Sequence, residues 1–238
     1  FTYEKEKIKS SYYKKNKQKQ FSKKEEDMSI INLISKKTSF IIKNTSDRDS
    51  TRNPSPPFIT STLQQDASYK LGFSVQRTMI TAQRLYEGGY ITYMRTDSTN
   101  LSNEAIQGCK DYITNKWGKE YLCTRNFNKK KAKGAQEAHE AIRPTKIEKR
   151  KLKGKNKDDP DQVKLYSLIW KRTIASQMAS AKYNIRTIEI DAQENKKTIL
   201  PKNEHFNANY QTLIFDGFLI VYNNKEGDDT ENSENNDN

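Results

Sequence analysis

Between Pro57 and Gly118 the chain is punctuated by residues that start and stop helices, and this rhythm limits the fold more than any other feature. Pro57 precedes "FITSTLQQDASYKLGFS", where Ser61 or Thr62 can cap a first helix and Gly72 can end it. Ser74 can cap a second helix, "VQRTMITAQRLYEGG". Its Val75, Met79, Ala82, Leu85 and Tyr86 make one apolar face, and Gly88 and Gly89 stop it. "YITYMR" is rich in β-branched and aromatic residues and reads as a strand. Ser102 opens a third helix with Ala105, Ile106, Cys109, Tyr112 and Ile113 on one side and Gly118 at its end. Helix, helix, strand, helix in this short span predicts a compact winged-helix-like (CAP-like) or helix-turn-helix module.

The flanks are more polar. Residues 1–27 are a lysine tract with interspersed Tyr and Phe and read as disordered. Residues 28–45 alternate short apolar runs with lysines, predicting one or two strands, and "SDRDSTRNPSPP" (46–57) reads as a connector. Residues 128–145 run from a basic loop into a short helix stopped by Pro144. After the polar loop "RKLKGKNKDDPD", Asp159 or Asp161 can cap a long helix, "QVKLYSLIWKRTIASQMASAK". Val163, Tyr166, Ile169, Trp170, Ile174 and Met178 recur there at helical spacing. "YNIRTIEIDA" and "QTLIFDGFLIVY" read as strands. The expected class is mixed α+β, mainly α. The expected division is 1–27 basic, 28–56 strands and linker, 57–150 the helical module, 151–224 long helix and strands, and 225–238 an acidic tail. No internal repeat is visible.

A formal net charge of +13 points to a polyanionic partner, nucleic acid before any other, with a lysine-rich solubilising surface as the plain alternative. Cys109 and Cys123 fit no zinc pattern and make no disulfide framework, which points to a reducing cytoplasm. No apolar run approaches the roughly 20 residues that cross a bilayer. The chain begins at Phe1 without a signal-peptide layout, so it is expected to be a piece of something longer. Neither a P-loop nor a dinucleotide fingerprint occurs.

In "GGYITYMRTDS" (88–98), strand geometry puts Tyr90 and Tyr93 on opposite sides and Arg95 on the side of Tyr93. A phenol is a weak nucleophile at neutral pH unless its surroundings favour the anion. A guanidinium beside it stabilises that anion and can also hold a phosphodiester through paired hydrogen bonds. The ordinary alternative is a half-packed strand tyrosine, one of 13 in the chain. In "AHEAIRP", His139 and Arg143 would share a helix face, the first to donate to a phosphate oxygen and the second to neutralise another. A satisfied helix-end histidine explains the same residues. The fifth position of "HEAIR" is Arg, so the zinc-protease ligand pair is absent. Asp47 with Asp49, and Asp158, Asp159 and Asp161, read as solvated turns and not as a metal site.

Taken together, "PPFITSTLQQDAS", "LGFS", "TAQRLYEGGYITYMRTDSTNLS", "AQEAHEAIRPT", "LYSLIWKRTIASQMASAKY" and "FDGF" resemble bacterial type IA DNA topoisomerases over about Pro54 to Tyr222. Met94 favours the topoisomerase I branch over topoisomerase III, which typically has proline there. The resemblance implies that Tyr93 attacks a single-strand phosphodiester and becomes joined to the 5′-phosphate, with Arg95 as the transition-state contact. It also implies that His139 contacts the scissile phosphate region and that Gln83 is a polar residue on the DNA side, while Arg143 is expected on DNA from its spacing beside His139. The family's Toprim domain, with its Mg2+-binding Asp-x-Asp, has no counterpart motif in this sequence. The chain therefore resembles the tyrosine-bearing domain with adjoining parts of a β-rich arch. The expected activity is ATP-independent relaxation of negatively supercoiled DNA by a monomer in the cytoplasm, with no membrane partner. The rival reading is a non-catalytic nucleic-acid-binding module of the same fold.

Overall fold

The computed structural model describes residues 9–14, 18, 30, 32–34, 37–125, 127, 140–152 and 159–223, and the backbone of 2–3, 6–7 and 17. They form two compact units, one made of Phe1–Thr51 with Lys182–Phe215, the other of Arg52–Ala181 with Asp216–Asn238.

The first unit is an antiparallel sheet. β1 (Thr2–Tyr3) pairs only with β2 (Glu6–Lys7), whereas β3 (Ser10–Lys14), β4 (Lys17–Gln18), β5 (Ser39–Arg52), β6 (Ala181–Glu194), β7 (Lys197–Thr198) and β8 (Glu204–Phe215) share one sheet. Its order is β4-β3-β8-β6-β5, with β7 paired to β6. The long β6–β8 ladder runs from Lys182 opposite Phe215 to Ile190 opposite Phe206. One face carries Tyr12, Ile188, Ile190, Ala192 and Ala208, all buried, with Phe206 edge-on to Tyr12 at 5.3 Å.

Two expectations fail in this unit. The tract 1–27 is not uniformly without structure, because Ser10–Lys14 pairs residue for residue with Glu204–Ala208 and buries Tyr12. The connector expected at 46–57 is a strand as far as Arg52. An edge strand exposed along its length accepts polar residues, and Arg186 holds Asp47 through two 2.8 Å hydrogen bonds. Asp47 and Asp49 thus lie in a strand and not in a turn.

The second unit packs α1 (Thr60–Leu71), α2 (Val75–Glu87), α3 (Asn103–Trp117), α4 (Pro160–Ser176) and the short α5 (Ile220–Asn223). The punctuation holds. Gly72 takes the left-handed conformation (φ 67°) that lets its N–H close onto Ser68 O. Ser74 and Ser102 cap α2 and α3 by accepting from the amides of Arg77 and Ala105. Asp159 caps α4, with Pro160 in its first turn. At α1 the expectation fails, because the helix starts at Thr60 and the capping residue is Ile59, not Ser61 or Thr62, with no side-chain acceptor. There the Thr62 hydroxyl reaches back to the Ile59 amide at 3.1 Å.

The helices bury Phe58, Leu63, Leu85, Ile113, Leu165, Ile169, Trp170 and Ile174 in a common core. Val75 and Tyr86, expected on the apolar face of α2, are exposed at 58% and 42%, and Thr78 and Thr81 are buried in their place. The α4 helix stops at Ser176, and "FLIVY" folds into helical turns from Gly217 instead of continuing β8.

Two further corrections concern the candidate site. "YITYMR" forms no regular strand, only a single bridge from Ile91 to Pro144. The expected helix before Pro144 is absent from residues 140–145, which are extended, and 128–139 lie outside the described residues. The Ala141 and Ile142 amides donate to Asn100 O and Phe58 O, so they are taken by neighbouring segments and not by a helical ladder.

Candidate active site

The segment after α2 is irregular, with bends at Tyr90, Thr92 and Met94, and it is fastened on both sides. The Tyr90 amide folds back onto Leu85 O (2.9 Å), which turns the chain out of the helix. On one side, Thr92 N donates to Arg143 O (2.9 Å), Arg143 N donates to Thr92 Oγ1 (2.9 Å), and the Thr92 hydroxyl donates to Ala141 O (2.6 Å). On the other side lies the start of α1. Thr60 Oγ1 donates to Met94 O (2.7 Å) and accepts from Thr96 N (2.9 Å), and Thr60 N donates to Thr96 O (3.0 Å).

Exposure along this segment is uneven and does not follow a strand's alternation, because Ile91 is buried although it has the same parity as Tyr93. Ile91 and Met94 are each 1% exposed and Thr96 is 8% exposed. Tyr93 is 45% exposed, and Arg95 and Asp97 are exposed with it. Tyr93 and Arg95, two positions apart, both face solvent, with a bend at Met94 between them in place of the expected strand. Arg95 lines a shallow cleft of about 490 Å³ with Ile59, Thr60, Ser61, Gln64, Thr96 and Asp97. Tyr90 points elsewhere. It is half-buried, with its ring 6.4 Å from that of Tyr166 on α4.

Sequence reasoning overlooked Tyr86. Its ring stands edge-on to Tyr93 at 5.3 Å and 67°, so the exposed phenol of Tyr93 has a wall on the α2 side. The signal was present, because a residue one helical turn before a glycine stop borders whatever follows the turn. Gln83, on the same helix, is half-buried and donates its amide to Glu87 Oε1 at 2.8 Å. His139 lies outside the described residues.

Arg143 is placed otherwise than expected. Its guanidinium is 11% exposed and grips Glu140 with both arms, Nε to Oε1 at 2.5 Å and Nη2 to Oε2 at 3.0 Å. Glu140 Oε1 also accepts from the Ser102 amide at 2.7 Å. The pair clips the start of α3 to the strip that holds Thr92, one residue from Tyr93. Burial pushes the Glu140 carboxyl up, but the hydrogen bonds from Arg143 and the Ser102 amide outweigh it and hold it below the usual carboxylate range.

Replacing Arg143 by alanine leaves that carboxylate half-buried without its partner and should cost about 2–3 kcal/mol at neutral pH. Because the carboxyl is depressed in the folded state, the clip's contribution is complete above the unfolded value, about 4.3. It is lost as the pH falls through the lower folded value. Urea unfolding from pH 7 to pH 3 checks this. The difference between wild type and Arg143→Ala should shrink toward acid, and a constant difference would contradict the assignment.

Among the described residues, no group of three or more His, Cys, Asp or Glu is placed to hold a metal ion. Asp159 and Asp161, one possible part of such a group, are taken up by α4 capping and by Arg77, whose Nε and Nη2 each lie 2.6 Å from the Asp161 carboxylate.

A family model described as DNA topoisomerase matches residues 1–237. The chain belongs to that family. It is 47% identical over 195 residues to the prokaryotic-type DNA topoisomerase 1 of Acanthamoeba polyphaga mimivirus, a match spanning 81% of this chain and 23% of that protein. It is 45% identical over 194 residues to DNA topoisomerase 1 of Mycobacterium tuberculosis, across 78% of this chain and 20% of that protein. The solved structure of full-length topoisomerase I from Thermotoga maritima superposes with a TM-score of 0.67 at 31% identity, covering 91% of this chain and 36% of that one. The chain thus spans about a fifth to a quarter of the length of these curated relatives. The mixed fold with its antiparallel sheet is that of the family.

Proposed function

We propose that this chain is the tyrosine-bearing part of a type IA DNA topoisomerase, with a winged-helix-like second unit and a first unit that is part of the β-rich arch. The observation that carries the reading is Tyr93 and Arg95, exposed together on a segment whose backbone is fastened on both sides. Pre-set geometry of this kind is what an in-line attack on phosphorus needs.

In this reading the Tyr93 Oη displaces the 3′-oxygen of a single-strand phosphodiester. A phosphotyrosyl ester forms at the 5′-phosphate, and the phenolic proton is delivered to the departing 3′-hydroxyl. One phosphate ester replaces another, so resealing needs no ATP. Arg95 offsets the charge that builds on the phosphoryl oxygens. Tyr86 limits the swing of the Tyr93 ring, and the Glu140–Arg143 clip holds the backbone beneath it, so Arg143 positions the nucleophile and does not touch DNA. Gln83 and His139 are assigned to the DNA side. Relaxation of negatively supercoiled DNA, by a monomer in the cytoplasm, completes the proposal. The described residues offer no cluster that fits magnesium.

Incubated alone with supercoiled plasmid and magnesium, the 238-residue chain should bind single-stranded DNA but should not relax the plasmid. Efficient relaxation would overturn this division of labour, and failure to bind single strands at low salt would overturn the function itself.

A further inference from the structure

The turn that follows the Arg143 clip takes no part in this chemistry. Residues 146–151 read Lys-Ile-Glu-Lys-Arg-Lys, four cations against one carboxylate. A lysine run at a surface is ordinarily a solvated face with no fixed shape. This one is fastened along its length. Ile147 and Leu152 are buried, at 4% and 5% exposure. From α4, Trp170 Nε1 donates to Ile147 O (2.8 Å) and Tyr166 Oη donates to Lys149 O (2.5 Å). The turn also closes on itself through Lys149 N to Lys146 O and Arg150 N to Glu148 O. Just before it, Thr145 N donates to Tyr90 O (3.0 Å), which ties the turn to the segment bearing Tyr93.

The result is a set of cations held outward on a rigid base. Lys146, Lys149 and Lys151 are exposed, and none is in an ion pair among the described residues. The Arg150 guanidinium stands 6.0 Å from the centre of the Trp170 ring. The aromatic groups that hold the turn from α4 are turned inward, Trp170 at 2% exposure and Tyr166 at 2%, and Tyr112 beside Glu148 is half-buried. A surface that binds unpaired bases presents aromatic rings for stacking, and this one presents charge alone.

We propose that the basic turn of residues 146–151 is a docking surface for the phosphate backbone of duplex DNA, beside the strand-cleaving site. Charge without stacking is matched by the partner with the denser phosphate array, which is the duplex. The inference rests on DNA being the substrate of Tyr93 and adds a second, non-reacting contact to it.

The test measures anisotropy of a short labelled duplex, and of a single strand of the same length, against salt for the whole chain and its variants. In the K146A/K149A/K151A variant the slope of log affinity against log salt on duplex should become shallower by roughly 2.7, at about 0.9 per lost phosphate contact. Low-salt duplex affinity should fall on the order of tenfold or more, with a smaller loss on single strands. The K146R/K149R/K151R variant keeps the charge and should restore the wild-type slope, which separates lost contacts from misfolding. An unchanged slope in the alanine variant, or equal losses on duplex and single strand, overturns the proposal. Tyr93→Phe should leave duplex binding intact. Duplex binding through the turn without any covalent adduct when a Toprim-bearing fragment of a relative is added would sink the topoisomerase reading alone, and adduct formation in that mixture with an unaltered slope would sink this inference alone.

Discussion

Replacing Tyr93 by phenylalanine should abolish the covalent protein–DNA adduct, and replacing Tyr90 by phenylalanine should leave it close to wild type. The assay mixes the chain with a Toprim-bearing fragment of a relative and labelled single-stranded DNA, then looks for labelled protein after denaturation. Tyr93→Phe keeps the ring and its edge contact with Tyr86 but removes the attacking oxygen, so the loss should be at least about 10³-fold. Tyr90 lies three residues away in the same motif, yet its ring packs toward Tyr166. The pair of variants therefore separates the two phenols by geometry and not by composition. Adduct formation by Tyr93→Phe would remove the proposed chemistry altogether. Loss of the adduct in Tyr90→Phe with folding intact would show that the wrong phenol had been chosen.

Replacing Phe58 by alanine should cost about 3–5 kcal/mol, because the ring is fully buried and its removal leaves a cavity that the surrounding helices can fill only in part. Arg172 lies over the ring at 4.3 Å, and the Phe58 carbonyl accepts from the Ile142 amide. The residue therefore joins the helical core to the strip that carries Arg143 and braces Thr92. Both tryptophans, Trp117 and Trp170, belong to the second unit, so their fluorescence during urea unfolding reports this unit alone. Phe58→Leu, which retains much of the volume, should cost clearly less. A Phe58→Ala protein within about 1 kcal/mol of wild type would mean that the site collapses around the missing ring without strain.

Part of the local structure around Tyr93 is legible in the sequence. Strand alternation was expected to set Tyr93 and Arg95 on one side and Met94 on the other. Tyr93 and Arg95 are exposed and Met94 is buried, but the segment bends at Thr92 and Met94, and Ile91 is buried as well. The serine and glycine helix limits at Ser74, Gly72 and Ser102 were readable because a cap is satisfied within a few residues. The helical spacing expected between His139 and Arg143 does not hold over residues 140–143. The amides of this strip are claimed by Phe58, Thr92 and Asn100, partners from 41 to 84 positions away in the chain.

By itself the sequence determined the helix limits at Gly72, Ser74 and Ser102 and the strongly basic balance of the chain. These follow from backbone geometry, local capping and charge, which do not depend on distant residues. Only the tertiary structure decided that Tyr93 faces solvent with Tyr86 at its edge. It also decided that Arg143 is turned inward onto Glu140, and that the polar stretch up to Arg52 completes a sheet edge. Each of those outcomes depends on which distant segment supplies the hydrogen bond or covers the side chain, and that competition is settled only when the whole core has packed.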